Sequence, residues 1–269
     1  MTTPTSYIQG YDASTLKSHQ SRSAKVQSDY LLPFVKSTSR ILDVGCGPGT
    51  ITCDFARYAH RGSVTGVDFS EKVIEQALSE AAARGLDNVD FQTASAHNLP
   101  FEDDTFDVVH CHALLVHLPK ASGAIKEMRR VCKVGGYVGC REPDWDSLAI
   151  HPHSPALEKW KEVSAQLKRN EGAEPNAGRQ LAEWAVHAGF SPEQVQVSCN
   201  VLQYIGEEEV KWWGTLYANR VRTEFGERAV SSGLVTKDEI EQFASAYVEW
   251  SDTKFGLWAM MHMRLLCQK

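Results

Sequence analysis

The sequence has few of the features that mark nucleic-acid-binding, membrane or secreted proteins. It contains 28 Lys and Arg against 34 Asp and Glu, a formal net charge of −6, and no basic run interleaved with aromatics. We therefore expect no nucleic-acid partner, because binding to the phosphate backbone depends mainly on basic side chains. No apolar stretch is long enough to cross a bilayer, and the polar start, Met1–Tyr7, lacks the apolar segment of a signal peptide. No membrane span is expected.

Cysteine usage argues against a disulfide framework and against structural zinc. The seven cysteines are odd in number and include no Cys-x-x-Cys pair. Most of them fall in segments with strand or helix patterns, where a free thiol packs as a small apolar side chain. We expect a reduced, cytoplasmic protein whose 269 residues form a single domain, 1–269, with a lid or an insertion. The oligomeric state has no signal in the sequence.

The most informative stretch runs from Arg40 to Thr50. It begins as an apolar strand and ends in a loop with glycine at 45, 47 and 49, and the residues that follow have a helical pattern. A strand that turns directly into a helix presents free backbone N–H groups, and glycines let a ligand approach them. A second strand, 64–68, ends in Asp68, which is placed to hold a ribose diol. Together these features predict the nucleoside-binding half of a doubly wound sheet.

The spacing of the loop decides which nucleoside is favoured. A dinucleotide fingerprint reads Gly-x-Gly-x-x-Gly, whereas this loop reads Gly-x-Gly-x-Gly and follows an acid, Asp43. A carboxylate there repels phosphate but suits a ligand with an ammonium group and a sulfonium, which argues against a nicotinamide oxidoreductase. The segment Leu-Asp-Val-Gly-Cys-Gly-Pro-Gly resembles the first motif of class I S-adenosylmethionine-dependent methyltransferases.

The resemblance is to the ubiquinone/menaquinone type of these enzymes and covers roughly residues 18–190. It implies an α/β fold with a doubly wound, mostly parallel, seven-stranded Rossmann-like sheet, one antiparallel strand and a helical lid. It also implies that the cofactor is S-adenosylmethionine, held by Gly45, Cys46 and Gly47, with Asp68 on the ribose and Phe69 against the adenine. Core packing is the alternative for Phe69.

Two further segments contribute cofactor contacts through the same resemblance. Ser95 stands where the family signature Asp-Ala-x-x-Leu-Pro-Phe has its Asp, so a hydroxyl replaces a carboxylate at the adenine; backbone groups of Ala96 and His97 are the alternative partners. Upstream, N-terminal lid helices within 1–36, including a helix over 18–36, place Arg22 at the cofactor carboxylate and Tyr11 in the lid. A solvated surface arginine is the alternative for Arg22.

The end of the fourth strand supplies the next candidates. Ligands of open α/β sheets bind outside the carboxyl ends of the strands, so Cys111, His112 and His117 are expected beside the methionine part of the cofactor. His110, His112 and His117 are also conceivable metal ligands, but no matching carboxylate accompanies them, and we expect no metal.

The acceptor site is expected at the end of the fifth strand and under a helical insertion. Arg141, Glu142 and Trp145 follow that strand, although a rim salt bridge and a packed Trp would produce the same pattern. The insertion, 207–253, has two helical patterns and carries Trp212 and Tyr217, which are interpreted as an aromatic lid or as ordinary packing.

The aromatic insertion and the segment 7–14, Tyr-Ile-Gln-Gly-Tyr-Asp-Ala-Ser, also resemble fungal secondary-metabolite enzymes, including gliotoxin thiol methyltransferases. The resemblance implies methylation of a small, largely hydrophobic molecule. A thiol ionises partly at neutral pH and needs no base, whereas an alcohol or carbon acceptor would need one, for which His112, His117 and Glu142 are candidates. C- or O-methylation of a quinol and a non-catalytic cofactor-binding regulator remain alternatives, and no catalytic residue is assigned.

Overall fold

A computed structural model describes residues 22–269, so Tyr11 and the segment 1–21 lie outside the described residues. The described chain folds into one mixed β-sheet with helices on both faces. The strands are β1 (Arg40–Val44), β2 (Ser63–Asp68), β3 (Val89–Thr93), β4 (Phe106–His112), β5 (Cys132–Pro143), β6 (Ala149–His151), β7 (Val195–Ile205) and β8 (Leu257–Gln268). The helices are α1 (Ala24–Gln27), α2 (Thr50–Tyr58), α3 (Glu71–Ala83), α4 (Ala121–Val131), α5 (Pro155–Asn170), α6 (Ala177–His187), α7 (Glu207–Arg220), α8 (Glu224–Ser231) and α9 (Lys237–Ser251). Among these helices, none combines the length and apolar character needed to span a bilayer.

The strand order creates a crevice between β1 and β4. The sheet runs β3-β2-β1-β4-β5 with all neighbours parallel, so the chain moves outward from β1 to β3 and then returns to begin β4 on the other side. The reversal leaves the loops after β1 and β4 facing each other at the carboxyl ends of the strands. The predicted doubly wound α/β sheet is confirmed.

β8 is antiparallel to all of its neighbours, as expected for the single antiparallel strand. Its C-terminal half pairs with β5, its first residues pair with the three-residue strand β6, and its other edge pairs with β7 along its length. β6 is the strand that the sequence did not predict, and it makes the sheet eight-stranded. Three residues are too few to show an alternating pattern.

The predicted helix over 18–36 is wrong for its described part. Residues 22–36 contain only the four-residue helix α1 and a 3-10 turn, Leu32–Phe34. Pro33 lies inside the predicted helix, where it restricts the preceding residue and supplies no N–H, so a continuous helix is not favoured. The segment instead packs on the sheet: Leu31 is fully buried, and a Cβ added at Gly139 would lie 2.9 Å from it.

The insertion between β7 and β8 contains three helices, one more than the sequence predicted. α7 and α9 pack with α5 around a core rich in aromatic rings, which includes Trp160, Trp213, Tyr217, Tyr247 and Trp258. This core is separate from the one beneath the crevice, where α4 and α6 cover β4, β5 and β8. The aromatic core includes Val116, so it borders the loop after β4.

Candidate functional site

The glycine loop leaves room for a ligand beside its central glycine, Gly47. Gly45, Gly47 and Gly49 all have positive φ, at 70°, 56° and 83°. A Cβ at Gly45 would lie 2.8 Å from Leu114, and one at Gly49 would lie 2.9 Å from Ala77, so these two positions are packed. A Cβ at Gly47 would meet nothing within 4 Å, so its backbone borders open space at the start of α2.

Asp68 closes the opposite side of the cradle. Its carboxylate accepts N–H bonds from Gly47 at 3.1 Å and from Ser70 at 3.1 Å, which ties the end of β2 to the glycine loop. Burial raises the pKa of Asp68, while the N–H donors of Ser70 and Gly47 act in the opposite direction. The Phe69 N–H also contributes to lowering this pKa, and the three backbone donors leave one of the four lone pairs of the carboxylate for a hydroxyl group of a ligand.

The segment after β3 lies next to Asp68. The Ala94 N–H donates to the Asp68 carbonyl at 2.9 Å, and the turn that follows places Ser95 Oγ within 3.3 Å of the His97 N–H. Phe69 is 50% exposed and so does not belong to the core. Its ring is available at the rim of the crevice.

Asp43 does not face the crevice, contrary to its interpretation as an acid that suits a cationic ligand. Its side chain is 2% exposed and is held by Thr52 Oγ1 at 2.6 Å and His110 Nδ1 at 2.8 Å. His110 in turn contacts Ser28 Oγ at 2.9 Å. The chain of contacts joins β1, α2, β4 and the N-terminal segment, so Asp43 and His110 stabilise the base of the site. His110 is not free to bind a metal, and no triad of potential metal ligands occurs within residues 22–269.

The two cysteines of the predicted cofactor set point into the core. Cys111 is fully buried under the sheet, where burial raises its pKa, and Cys46 packs with Cys53, Ile74 and Phe91. The thiols therefore face the core, and contact of these two residues with the cofactor stays a prediction that only their backbone groups could fulfil. Position 46 still shapes the loop through its backbone, because the Cys46 N–H donates to the Val67 carbonyl at 3.0 Å.

His112 and Arg141 form a buried pair at the ends of β4 and β5. Arg141 is 1% exposed and donates to His112 Nε2 at 2.7 Å and, more weakly, to Asn200 Oδ1 at 3.2 Å. Burial and the charges of Arg22 and Arg141 hold the pKa of His112 well below its usual range. With Nε2 accepting, the proton of the neutral ring lies on Nδ1. Arg141 therefore orients His112 and is too deep to lie at the rim.

Glu142 organises the loop after β4. The expectation that it lines the acceptor site is therefore wrong. It is fully buried and accepts N–H bonds from Leu114 and Leu115 at 2.9 Å and from Val116 at 3.1 Å. Burial raises the pKa of Glu142 to about 7, although the three N–H donors act to lower it. The carboxylate therefore caps the 3-10 turn Leu115–His117.

The remaining acceptor candidates gather in the aromatic core. Trp145 and Tyr217 are buried and both contact Trp160, at ring-centroid distances of 5.7 and 5.5 Å. Trp212 lies at the edge of the cluster, 5.6 Å from Trp213. The rim salt bridge considered for this segment exists as well, because Arg179 donates two hydrogen bonds of 2.6 Å to Asp144.

His117 and Arg22 lie where the crevice and the aromatic core meet. Burial, followed by the charges of Lys168, Arg220 and Arg22, holds the pKa of His117 well below its usual range. Arg22 also lowers the pKa values of His112 and His262, after burial, so its guanidinium lies near both histidines. Arg22 is therefore not the isolated, solvated surface arginine that was considered as the alternative.

Two buried polar side chains of this region were not predicted from the sequence. His262 on β8 is 4% exposed, stacks on His112 at 6.2 Å, and neither ring nitrogen has a hydrogen-bond partner within residues 22–269. Lys168 on α5 is 1% exposed. A signal for Lys168 was present, because it is in helical phase with the buried residues Leu157, Trp160 and Ser164.

Comparisons with known proteins give the class of enzyme. Residues 35–214 match the family described as a methyltransferase domain. An uncharacterized methyltransferase of Schizosaccharomyces pombe is 34% identical over 271 residues, covering 98% of this chain and 96% of that protein. A probable methyltransferase of Aspergillus luteorubrus is 32% identical over 282 residues, covering 98% and 97%. A crystal structure of a putative methyltransferase from Bacillus halodurans superposes with a TM-score of 0.59 at 17% identity, covering 91% of this chain and 99% of that one.

The fold is thus that of a Rossmann-like methyltransferase, and the chain belongs to the methyltransferase domain family. It is an S-adenosylmethionine-dependent methyltransferase, which removes the alternatives of a nicotinamide oxidoreductase and of a non-catalytic regulator. The described residues fit this cofactor: open space at Gly47, a carboxylate at Asp68 and a half-exposed ring at Phe69 border one crevice.

Proposed function

We propose that the enzyme methylates a small, largely hydrophobic molecule, and that thiols of a fungal secondary metabolite, such as a reduced epidithiodiketopiperazine, are its first substrate class. When bound, S-adenosylmethionine supplies a methyl group on a positively charged sulfur. Gly47 and Asp68 would hold its nucleoside, Phe69 would stack on the adenine, and the segment Ser95–His97 would meet the edge of the base. Arg22 would meet its carboxylate, and His112 and His117 would border its methionine part.

The acceptor would lie against the aromatic core that begins beyond His117. Tyr204 stacks on Trp213 at 3.8 Å, and Tyr217 lies 4.6 Å from Trp213, so closely packed aromatic rings form the apolar side of this region. Walls of this kind bind hydrophobic molecules and exclude water. Exclusion of water favours methyl transfer, because the charge on the donor is lost as the reaction proceeds.

The hydrogen bonds made by Glu142 and His112 and the lowered pKa of His117 support a thiol acceptor. Both Glu142 oxygens accept backbone N–H bonds, His112 Nε2 accepts from Arg141, and the pKa of His117 is held well below its usual range. No strong base therefore faces the acceptor among these three. A thiol with a pKa of about 8.5 supplies thiolate at neutral pH without one. Alignment of the two reactants then provides most of the catalysis.

His262 favours a second candidate function. Its two ring nitrogens have no hydrogen-bond partner within the described chain, so a neutral His262 can accept a proton from an acidic hydroxyl group. Burial and the charges of Arg141 and Arg22 hold its pKa well below its usual range, so only a weakly basic role is available. The corresponding reaction is O- or C-methylation of a phenol or quinol.

A radiolabelled methyl-transfer assay separates the two functions. The enzyme is incubated with labelled S-adenosylmethionine and a reduced epidithiodiketopiperazine, aromatic thiols, phenols or quinols. We expect transfer to thiols that His262→Phe leaves largely unchanged. Transfer only to phenols or quinols, lost in His262→Phe, would contradict the thiol proposal and favour the second function.

A further inference from the structure

Strand β7 forms a free edge of the sheet, opposite the edge formed by β3. It pairs with β8 over residues 195–205, and no other strand of the described chain pairs with it. Apart from that ladder, residues 196–204 make no backbone hydrogen bond within 22–269, and at the end of the strand Glu209 accepts from the Ile205 N–H at 3.0 Å. The outer row of backbone N–H and C=O groups is therefore open along most of its length.

This edge has none of the usual protection against pairing with another strand. Soluble proteins protect an edge with charged side chains, a proline, a bulge or a covering element, because open backbone groups pair with other strands. The eleven residues of β7 include no charged residue, no Pro and no Gly. Their register with β8 is continuous, and residues 196–199 are exposed on both faces of the strand. A long, regular and uncharged edge of this kind indicates a docking surface.

Both faces of β7 are compatible with a second copy of the same strand. One face exposes Val197 and Val201, at 43% and 52%, with the exposed Cys199 between them. The other face exposes Gln196 and Ser198, whose side chains both donate and accept hydrogen bonds. In an antiparallel pair of identical strands, apolar groups therefore meet apolar groups, amide and hydroxyl groups meet each other, and no like charges are opposed.

The strand is also long enough for a specific interface. Eleven residues at about 3.4 Å each span about 37 Å, and an antiparallel ladder of this length forms about ten backbone hydrogen bonds. Specific protein interfaces typically contain about ten direct hydrogen bonds. A two-fold axis perpendicular to the sheet would close the contact at two copies, because each open edge is then covered by the other.

We propose that two copies of this chain pair antiparallel through β7, so that their sheets join into one continuous sheet. The pairing is centred near Asn200, the middle residue of the strand, and the row formed by Val197, Cys199 and Val201 lies beside the same row of the second copy. The inference is independent of the proposed function, because it concerns the edge of the sheet and not the molecule that receives the methyl group.

Sedimentation equilibrium of the full chain under reducing conditions measures the oligomeric state. We expect the wild type to sediment at twice the chain mass of 29.9 kDa at micromolar concentrations. Val201→Lys puts a charge in the middle of the edge and should sediment as a monomer at the same concentrations. Val248→Lys is the matched control, because Val248 is similarly exposed, at 45%, but lies on α9. This control should remain a dimer.

Cysteine cross-linking reports the register of the pairing. Cys199 is the only exposed thiol among residues 22–269, since the other six cysteines are buried. When two strands pair around Asn200, the two Cys199 side chains are diagonal neighbours about 7–8 Å apart, so a short bismaleimide should join the chains of the wild type. Cys199→Ser should give no cross-link and should still sediment as a dimer.

Three results would each overturn the inference. They are a single copy of the wild type, alone or bound to a different protein, a dimer that Val201→Lys leaves intact, and a dimer that does not cross-link through Cys199. Assemblies that grow beyond two copies with concentration would contradict it as well, because the contact would not be closed. If Val201→Lys does not fold, the mass and the cross-link of the wild type still decide.

Discussion

At the scale of single residues, the carboxylates of the site divide into one that faces the crevice and two that build it. Asp68 accepts N–H bonds at the edge of the crevice, whereas Asp43 and Glu142 are buried and occupied by Thr52, His110 and the loop after β4. Replacing Asp68 should therefore affect cofactor affinity, whereas replacing Asp43 or Glu142 should affect stability.

Asp68→Ala is expected to weaken S-adenosylmethionine binding by about 1.5–3 kcal/mol, the range for a hydrogen bond to a charged group. The physical reason is that the carboxylate ties β2 to Gly47 and is proposed to hold the ribose as well. Isothermal titration measures the change, with Asp90→Ala, an exposed acid on β3, as control. Equal affinities in the wild type and Asp68→Ala would place the ribose elsewhere.

Glu142→Gln is expected to lower the free energy of unfolding by about 1–3 kcal/mol, because the amide presents N–H groups where three backbone N–H groups need acceptors. Denaturant unfolding measures the loss, and the exposed Glu183→Gln is the control. Full stability combined with a large fall in turnover would instead make Glu142 a catalytic base, as the sequence suggested.

Residue roles were only partly predictable from the sequence. The glycine pattern and the acid that ends β2 identify the cradle, because both depend on local chain geometry. The direction of a side chain depends on tertiary packing, so the sequence indicates a ligand role for Asp43 and Cys111 although both side chains face inward. His262 lies 150 residues after His112, and only the register of β5 and β8 brings the two together.

At the scale of elements, the helices between β7 and β8 turn aromatic residues toward the crevice side of the sheet. Trp213 occupies the centre of the aromatic core, whereas Trp212 lies at its edge. The number of aromatic residues in the insertion was evident from the sequence, but the two neighbouring tryptophans could not be ranked, because helix α7 is bounded by other elements on several sides.

Trp212→Ala is expected to raise the acceptor KM more than the cofactor Kd, with a modest loss of stability. Trp213→Ala removes a buried ring and should destabilise the fold by about 3–5 kcal/mol. Steady-state kinetics, cofactor titration and thermal unfolding of the two variants provide the comparison. If Trp212→Ala weakened cofactor binding more than acceptor binding, Trp212 would belong to the cofactor site or the core.

Helix α5 carries a charge on its inner face, and this predicts a pH-dependent stability. Burial, followed by the charge of Arg220, lowers the pKa of Lys168 to about 7, from 10.5 in the unfolded chain. Between these values the unfolded state binds a proton that the folded state does not, so this residue's contribution to stability rises with pH over the window. His117, Arg220 and Arg22 are the other charged or titratable groups of the cluster.

Lys168→Met is therefore expected to raise the thermal midpoint in the absence of ligand. The gain should be largest below pH 7 and should shrink as the pH approaches 10.5, because the wild type then folds with a neutral amine at less cost. Thermal unfolding at pH 6 and pH 9 checks this, with Arg169→Met as control. A lower midpoint at pH 6 would show that Lys168 stabilises the fold.

At the scale of the whole molecule, the reversal of strand order between β1 and β4 places every part of the site at one edge of the sheet. The glycine loop, the end of β2 and the loop after β4 meet there, and the aromatic core borders the last of these. The central strands were predictable because β1 and β4 are largely apolar and buried and end at clear turns. The short strand β6 and the broken N-terminal helix were not, since three residues carry no period and Pro33 outweighed the apolar pattern.

The most direct test of this arrangement is the affinity of S-adenosylmethionine for a matched pair of glycine variants. Gly47 and Gly85 both have positive φ, 56° and 63°, and a Cβ at either meets nothing within 4 Å, but only Gly47 borders the crevice. Gly47→Val and Gly85→Val therefore carry similar backbone strain. Calorimetry should show that Gly47→Val loses about 100-fold or more in affinity while Gly85→Val binds as the wild type does. Unchanged affinity in Gly47→Val, or an equal loss in both variants, would contradict the placement of the cofactor at this loop.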